Sequence, residues 1–548
     1  IQLLFILKKI IIKFSFILFH LFIKTMSAQT NSQMVVSKSL SIVPQNGTEF
    51  DVTRGQKIIF EIDPSMGLIK GRDSYLCFDV LNNSSDYQRL ALDSSAGVDG
   101  LIGRVDIYSL RTGKHLETME NYNQFMALSN QYFFEDKTNL QVLQGCGTKV
   151  FAKEWGNAAM GPVKSSVANV DDSILSPVTK TGVAAYNFRR YVTPLKCGIF
   201  RYWDDERLCP VMGFQGLRIE ITLDSPKICA RNMMGAAADG SAIDLVSKTD
   251  PAAAGLACDT AIGGATSLTS TADINVEQCG LAVGNIVTIR HGAGAPFTDA
   301  TATIESMVVT ADKLVVTFAA PAIGALTDPR IFLAADTRAL RVRPQFRLVQ
   351  VAPNDAVVKE MSKGLNYSFT TYDYFVDSLI ASVRKHLIEI NSVATKAVCV
   401  MTTFSDGNDL EEQLYSSYFV GEDPDSLKMD SVQYFLKGRL APVRSYDPRL
   451  NQEKIISQNE LNKALTTLNI EPKDLGNTDG KNLENYTNVF AVARQLARRG
   501  YYYNLREAEG QVRLGFSGAR ANNVITNTFV WSQKVITVDT TGDLQVIL

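Results

Sequence analysis

Histidine is scarce in this chain: His20, His115, His291 and His386 are the four in 548 residues. No two lie close together in sequence, which excludes the paired-histidine spacings of zinc enzymes. Cysteine is present but never closely paired. Cys77, Cys146, Cys197, Cys209, Cys229, Cys258, Cys279 and Cys399 show none of the short spacings of zinc sites. Scattered through strand-like segments, they read as small buried hydrophobes in a reducing compartment. An excess of positive charge is also missing. Lys and Arg number 55 against 57 Asp and Glu, a formal charge of −2. Proteins that coat nucleic acid through its phosphates carry a clear basic excess. Direct packing of DNA is therefore not the chain's main work, and no sequence-specific nucleic-acid binding is expected.

Catalytic signatures are approached but not reached. Gly515-Phe516-Ser517-Gly518-Ala519 is similar to a nucleophile elbow, yet Ala519 stands where the last glycine belongs, and a β turn is the simpler reading. Gly476-Asn477-Thr478-Asp479-Gly480-Lys481-Asn482 is one residue short of a phosphate loop, and Asn482 replaces its Ser or Thr. Gly292-Ala293-Gly294-Ala295-Pro296-Phe297 fails the dinucleotide pattern at its last glycine. Asp204, Asp205 and Glu206 form an acidic cluster beside Trp203, but Arg201 and Arg207 flank it as in a solvated loop. No residue is put forward as catalytic, cofactor-binding or metal-ligating, and the expectation is a protein that is not an enzyme.

Residues 1–25 differ from the rest, with seven Ile, five Leu, five Phe and four Lys. These are residues that A/T-rich DNA encodes, so the expectation is a spurious upstream extension with translation starting at Met26. The rival reading is a signal or anchor, with Lys8 and Lys9 flanking the apolar run from Phe14 to Ile23. Lys13 and His20 interrupt the apolar stretch, which is short for a bilayer span of roughly 20 residues.

What the sequence does contain is alternation. Leu217-Arg218-Ile219-Glu220-Ile221-Thr222-Leu223-Asp224 has one aliphatic and one polar face, as a half-buried strand requires. Ile58, Phe60 and Ile62 alternate in the same way, as do Leu76, Phe78 and Val80, then Val105 and Ile107. Leu340, Val342, Phe346 and Leu348 oppose Arg341, Arg343, Gln345 and Arg347, and Pro344 among them suggests an edge strand or a bulge. The second half repeats this grammar from Leu365, Tyr367 and Phe369, with further strands expected at 386–391, 396–404, 431–437, 511–516, 527–539 and 543–548. Helices are expected over Leu116–Phe133, Asn354–Lys363, Gln452–Leu468 and Val489–Arg499.

Many short strands in two halves imply two β-sandwiches, and 548 residues exceed one ordinary core. The Ala/Gly/Thr-rich stretch 226–339 lies between two similar strands and reads as an inserted small β unit, which a surface loop tolerates because closure cost grows slowly with length. The expected division is 1–25 as the extension, 26–47 as an N-terminal arm, and 48–353 as the first sandwich with 226–339 inserted. A linker helix follows at 354–363, then the second sandwich at 364–548. Aromatics in the loops 120–200 and 405–430, such as Tyr122, Phe125, Tyr132, Phe133, Phe134, Tyr415, Tyr418 and Phe419, are expected to be exposed in a monomer and to mark an interface.

Four stretches then carry a resemblance. The first runs from Gly100-Leu101-Ile102-Gly103-Arg104-Val105-Asp106-Ile107-Tyr108-Ser109 through Gly113 and Leu116-Glu117 to Asn121-Tyr122-Asn123. The second is Pro210 through Gly216 to Leu223, and the third is 340–351 followed by the short helix and Leu365 to Tyr372. The last runs from Phe516-Ser517-Gly518 and Asn523 to Asp539, Gly542 and Leu548. Their order, spacing and the chain length together resemble the double jelly-roll major capsid proteins of virophages, polinton-like viruses and related eukaryotic DNA viruses, a lineage that shares its fold with the adenovirus hexon. The resemblance spans about residues 48–548.

It implies an all-β fold of two tandem eight-stranded jelly-roll sandwiches with short loop helices and the inserted β unit. It implies homotrimeric, pseudo-hexagonal capsomers of an icosahedral double-stranded DNA virus, found in the virion and assembled inside the host cell. Penton and minor capsid proteins are implied as neighbours, with no cofactor. Two other classes stay open from the residues alone. One is a secreted or surface β-sandwich binding protein, lectin- or adhesin-like, which needs a real signal in residues 1–25. The other is a carbohydrate-active enzyme on a jelly-roll scaffold, which needs paired carboxylates in a sugar cleft.

Overall fold

The computed structural model describes residues 35–83, 90–93, 95–133, 189–203, 208–232, 235–236, 242–243, 256–259, 266–273, 281, 286–291, 298–319, 329–333, 338–353, 355–407, 418, 427–468, 490–497, 501–506, 510–520 and 523–547. The acidic cluster at 204–206, the near-motifs at 292–297 and 476–482, Cys146, Cys279 and residues 1–25 lie outside them.

Sixteen principal strands build two sandwiches, and three short ones, Phe50–Asp51, Leu68–Ile69 and Leu544–Ile547, extend their sheets. In the first they are β1 (Val35–Ile42), β2 (Lys57–Ile62), β3 (Tyr75–Asn82), β4 (Ile102–Ser109), β5 (His115–Glu120), β6 (Arg189–Pro194), β7 (Leu217–Leu223) and β8 (Leu340–Ala352). In the second they are β9 (Leu365–Leu379), β10 (Lys385–Ile390), β11 (Ala397–Asp406), β12 (Met429–Leu436), β13 (Arg439–Tyr446), β14 (Ala491–Gln495), β15 (Gly510–Phe516) and β16 (Val524–Val538). The first sandwich has sheets in the order β1-β8-β3-β6 and β2-β7-β4-β5; the second has β9-β16-β11-β14 and β10-β15-β12-β13. Adding eight to each strand of the first gives the second. Each is the two-sheet, eight-stranded order of a jelly roll.

The alternation explains the strands. In β2 the residues Ile58, Phe60 and Ile62 are buried while their neighbours are not, and β7 pairs Ile219 with Phe60 on one side and Ile107 on the other. One face of each sheet thereby meets its partner sheet over an aliphatic core.

Several expectations are corrected. The sandwich starts upstream of residue 48, because β1 lies in the expected arm and pairs with β8 from Val35 to Ile42. Pro344 marks neither an edge nor a bulge, since β8 is interior between β1 and β3. On the β1 side, pairing stops at Ile42 opposite Phe346 and resumes with Phe50 opposite Val342, so the neighbouring strand is interrupted where Pro344 lacks its N–H. The segment expected as a helix at 116–133 divides into β5 and a helix α1 (Tyr122–Phe133). Val489–Arg499 holds strand β14, because pairing of Val492 with Thr402 and Ala493 with Met401 overrides the helical preference of its alanines. The other two helices form: α2 (Asp355–Met361) between the rolls and α3 (Asn451–Thr466) between β13 and β14.

Between β7 and β8 lies a separate unit. Its strands run in the order 256–257, 330–333, 286–291, 298–310, 313–318 and 267–273, and a bridge between Cys258 and Ser270 joins the two ends of the row. Its core is its own: Leu268, Val287, Ile289, Leu314, Val316, Phe318 and Ile331 belong to a cluster apart from the main one. The main cluster, by contrast, runs unbroken through both jelly rolls.

Candidate functional site

The unbroken core has its centre in the seam between the rolls. On the first roll's side stand β5, α1 and the loop 195–203 after β6; on the second roll's side stand β9 and β16. Phe125 of α1 is fully buried, 4.9 Å from the Trp531 ring, 5.3 Å from Phe529, 5.5 Å from Tyr372 and 5.6 Å from Trp203, measured between centroids. Such tilted and edge-on ring pairs each add stabilisation beyond the area they bury. The expectation of exposed loop aromatics is therefore corrected: Tyr122, Phe125 and Tyr418 are buried inside the chain. Phe134, Tyr415 and Phe419 lie outside the described residues, as do the side chains of Tyr132 and Phe133.

A polar network completes the seam. Asn121 donates to the Tyr374 hydroxyl (3.0 Å) and to Asn527 Oδ1 (3.2 Å), and Tyr374 donates to the same oxygen (2.7 Å). Asn527 in turn donates to Ser405 Oγ (2.7 Å), and Gln124 donates to Thr403 Oγ1 (3.0 Å) and the Tyr418 carbonyl (2.6 Å). Buried groups satisfied in this way fix one relative placement of the rolls, since any shift orphans several of them.

The loop after β6 approaches β9 closely. A Cβ at Gly198 would sit 2.3 Å from the Thr370 carbonyl oxygen, so only glycine fits there. The loop is held from the other side by Glu117 of β5, whose carboxylate accepts from the Gly198 and Ile199 amides at 2.9 and 2.8 Å. Burial pushes the Glu117 carboxyl above its usual range against the pull of these hydrogen bonds. Tyr367 donates to the Ile199 carbonyl (2.6 Å), and the Arg201 guanidinium lies 4.5 Å above the Tyr367 ring.

Two buried ion pairs support the first roll. Lys196 Nζ lies 2.6 Å from Asp99 Oδ2, both side chains wholly buried, with Asn130 accepting from the ammonium (2.9 Å) and Thr193 donating to the carboxylate (2.7 Å). Arg231 and Asp93 meet at 3.1 Å at the root of the inserted unit, and Arg338, on its far side, donates to the Ala230 carbonyl (2.7 Å). Both ends of the insertion are thus tied to one spot.

Among the described residues no group of three or more His, Cys, Asp and Glu is placed to hold a metal. Ser517 sits at a surface turn, its Oγ accepting from Arg449 (2.7 Å). His386 faces Asp377 at 3.1 Å on the second roll, remote in sequence and strand from His115 on β5. Cys77, Cys197, Cys209, Cys229, Cys258 and Cys399 are free and buried. Burial pushes the thiols of Cys229, Cys258 and Cys399 up to about 12. No helix among the described residues is long and apolar enough to cross a membrane.

Several large apolar side chains of the second roll are exposed. Strand β13, an edge of its sheet, is exposed along most of its length, and Val443 on it is 87% exposed. Nearby in the chain, Leu450 precedes α3, which exposes Ile455 (60%) and Ile456, and the stretch after β14 exposes Tyr501 (81%) and Tyr502. The sequence reading, which looked to the loop aromatics, did not single these residues out; the signal available was the apolar content of β13 and of the stretch at 501–502.

No family model and no curated protein matches the chain. It is similar in structure to viral major capsid proteins. These include the crystal structure of PBCV-1 VP54 fitted into a cryo-EM reconstruction of the virophage Sputnik (TM-score 0.49, 8% identity, covering 93% of this chain and 96% of that one). The Faustovirus major capsid protein gives 0.45 at 10% identity, covering 94% and 90%, and the mavirus major capsid protein 0.36 at 11%, covering 95% and 93%. The strand order within each half, rather than these loose overlays, carries the fold assignment. In fold, the chain is a double jelly roll with a separate β unit inserted between the last two strands of its first roll.

Proposed function

We propose that the chain is the major capsid protein of an icosahedral double-stranded DNA virus, a structural protein rather than an enzyme. One observation carries this reading: a complete eight-strand jelly roll occurs twice in one chain, with the two copies welded side by side through a buried seam. Jelly rolls are a fold of viral capsids. Three such pairs in a closed ring form a plate of six rolls with near six-fold edges, able to tile a shell. The inserted unit, with its own core, would stand as a tower over the first roll, outward from the shell. The free, buried cysteines fit a protein assembled inside a host cell, where thiols stay reduced. Its partners are then other copies of itself and, at the shell's vertices and inner surface, penton and minor capsid proteins.

The test is size and outline. Light scattering on the purified protein should give a trimer, and negative-stain images should show hexagonal plates. The interface between copies should bury more than about 2,000 Å². A stable, well-folded monomer at micromolar concentration would refute the proposal.

A further inference from the structure

Two strands on one side of the second roll frame a cleft between them. β9 and β10 follow one another in the chain but belong to different sheets: β9 pairs with β16 and β10 with β15. Each is an edge of its sheet. They run past each other in opposite directions and are pinned at two places. Asp377 Oδ2 of β9 lies 3.1 Å from His386 Nε2 of β10, and Asp373 Oδ2 of β9 accepts from Ser392 Oγ, just beyond β10, at 3.0 Å. Between the pins opens a cleft of about 510 Å³, lined by Tyr374, Phe375, Val376, Leu387, Ile388 and Glu389, with Asn391 at its rim. The pins are four residues apart on β9, roughly 14 Å at about 3.4 Å per residue.

Val376 is 61% exposed and Leu387 40%, so the cleft shows apolar walls to water. Its Tyr374 is already fixed, with the hydroxyl held by Asn121 and Asn527 of the seam. Two of the nearby carboxylates are matched: Asp373 by Lys534 Nζ at 2.9 Å and Asp377 by His386. Glu389 and Asn391, both exposed, have no hydrogen-bond or ion-pair partner among the described residues. The cleft thus offers apolar side chains, one unmatched carboxylate and one unmatched amide. They lie between two sheet edges, which turn every second backbone N–H and C=O outward.

We infer that this cleft takes an extended segment of another protein, with a Lys or Arg side chain set among apolar ones. A chain laid along a sheet edge is held by backbone hydrogen bonds and selected through its alternate side chains. Val376 and Leu387 receive the apolar residues and the aliphatic stem of the basic one, and its cation reaches the Glu389 carboxylate. The distance between the pins admits about four residues of extended chain. An acidic segment would set like charge against Glu389 and be rejected. Nothing in this binding requires the trimer, and under the capsid reading the segment belongs to another protein of the virion.

The probe is a phage-displayed library of random peptides about seven residues long, screened on the full-length protein; enriched peptides are then labelled and titrated by fluorescence anisotropy. They should carry Lys or Arg beside apolar residues. Glu389→Lys and Val376→Asp each alter an exposed position, so far-UV dichroism and urea midpoint should stay near wild type. Glu389→Lys should bind these peptides at least about 10-fold more weakly, the scale of one charge-assisted hydrogen bond, and the same screen on it should enrich Asp or Glu instead. Val376→Asp should weaken them by a similar factor. The inference is overturned if no peptide is enriched, if the enriched peptides lack Lys and Arg, or if Glu389→Lys binds them as tightly as wild type. Displacement of the peptides by spermidine at equal concentration would put a free amine in the cleft and overturn it too. Light scattering keeps this test apart from the capsid reading: Val376→Asp should be a trimer wherever the wild type is one. A folded Val376→Asp monomer beside a wild-type trimer would seat a second copy of the chain in the cleft, overturning this inference and leaving that reading intact.

Discussion

Phe125 and Trp531 stand with ring centroids 4.9 Å apart, although one belongs to a helix of the first jelly roll and the other to the long strand β16 of the second. The two rolls are therefore not beads on a string: the interior of each is completed by the other. Phe125→Ala should cost about 3–5 kcal/mol, the usual penalty for emptying a buried aromatic site. It should also weaken coupling, so that urea unfolding, expected to be a single transition in the wild type, separates into two. An unchanged midpoint would show the seam to be dispensable.

The Asp99–Lys196 pair is wholly buried, so its partners depend on one another. Removing one charge strands the other, and Lys196→Met alone should destabilise by about 3–5 kcal/mol. Adding Asp99→Leu to that variant should recover much of the loss, because no lone charge then remains in the core. Denaturation of both single variants and the double variant would measure the coupling, and additive losses would count against it.

Glu117 gives a pH dependence of definite sign. Burial raises its carboxyl in the folded protein above the unfolded value. The stability that this group contributes is complete below the unfolded value and is lost as pH rises through the raised folded one. The wild type should therefore lose stability relative to Glu117→Gln as pH rises from about 4 toward 8. Urea midpoints of the pair across that range would reveal it. A gap moving the opposite way would mean that the amides of Gly198 and Ile199 outweigh burial.

Native thiol chemistry should be nearly silent at the described cysteines. Cys229, Cys258 and Cys399 are buried and held near 12, so little thiolate exists at neutral pH and a reagent has no path to it. Peptide mapping after labelling with an aromatic disulfide should find these three unmodified until denaturant is added. Rapid labelling of any of them in the folded protein would contradict their placement.

The inserted unit should be removable. Its core shares no residue with the main one, and Arg231 and Arg338 bring its two ends to the Ala230 carbonyl. Replacing residues 233–337 by a short Gly/Ser linker should leave far-UV dichroism and unfolding of the two rolls close to wild type. Failure of that variant to fold would make the unit part of the scaffold.

How much of this was legible in the sequence depends on how many sides of a strand are wet. β7 shows itself plainly because Leu217, Ile219, Ile221 and Leu223 meet a core while Arg218 and Thr222 do not. In β16, Phe529, Val530 and Trp531 are buried in succession, since the second roll's core takes one face and the first roll the other. Burial on both faces erases the period of two, so the sequence marks a strand there without showing what covers it. β14 was misread for a related reason: Ala491, Val492 and Ala493 are all buried, and a short apolar run without alternation does not separate strand from helix. The seam's polar network was not legible at all. Asn121 and Asn527 lie far apart in the chain, and nothing local to either announces the other.

The repeat of strand order at an interval of eight has a consequence of arithmetic. A chain holding two rolls delivers one junction ready-made, at infinite dilution, and that junction never dissociates. A ring assembled from such chains contains an even number of rolls, whatever its size. Five- or seven-membered rings of rolls, open to a protein with a single roll, are closed to this one by parity alone. Each ring also forms in fewer than half the encounters that single rolls would need.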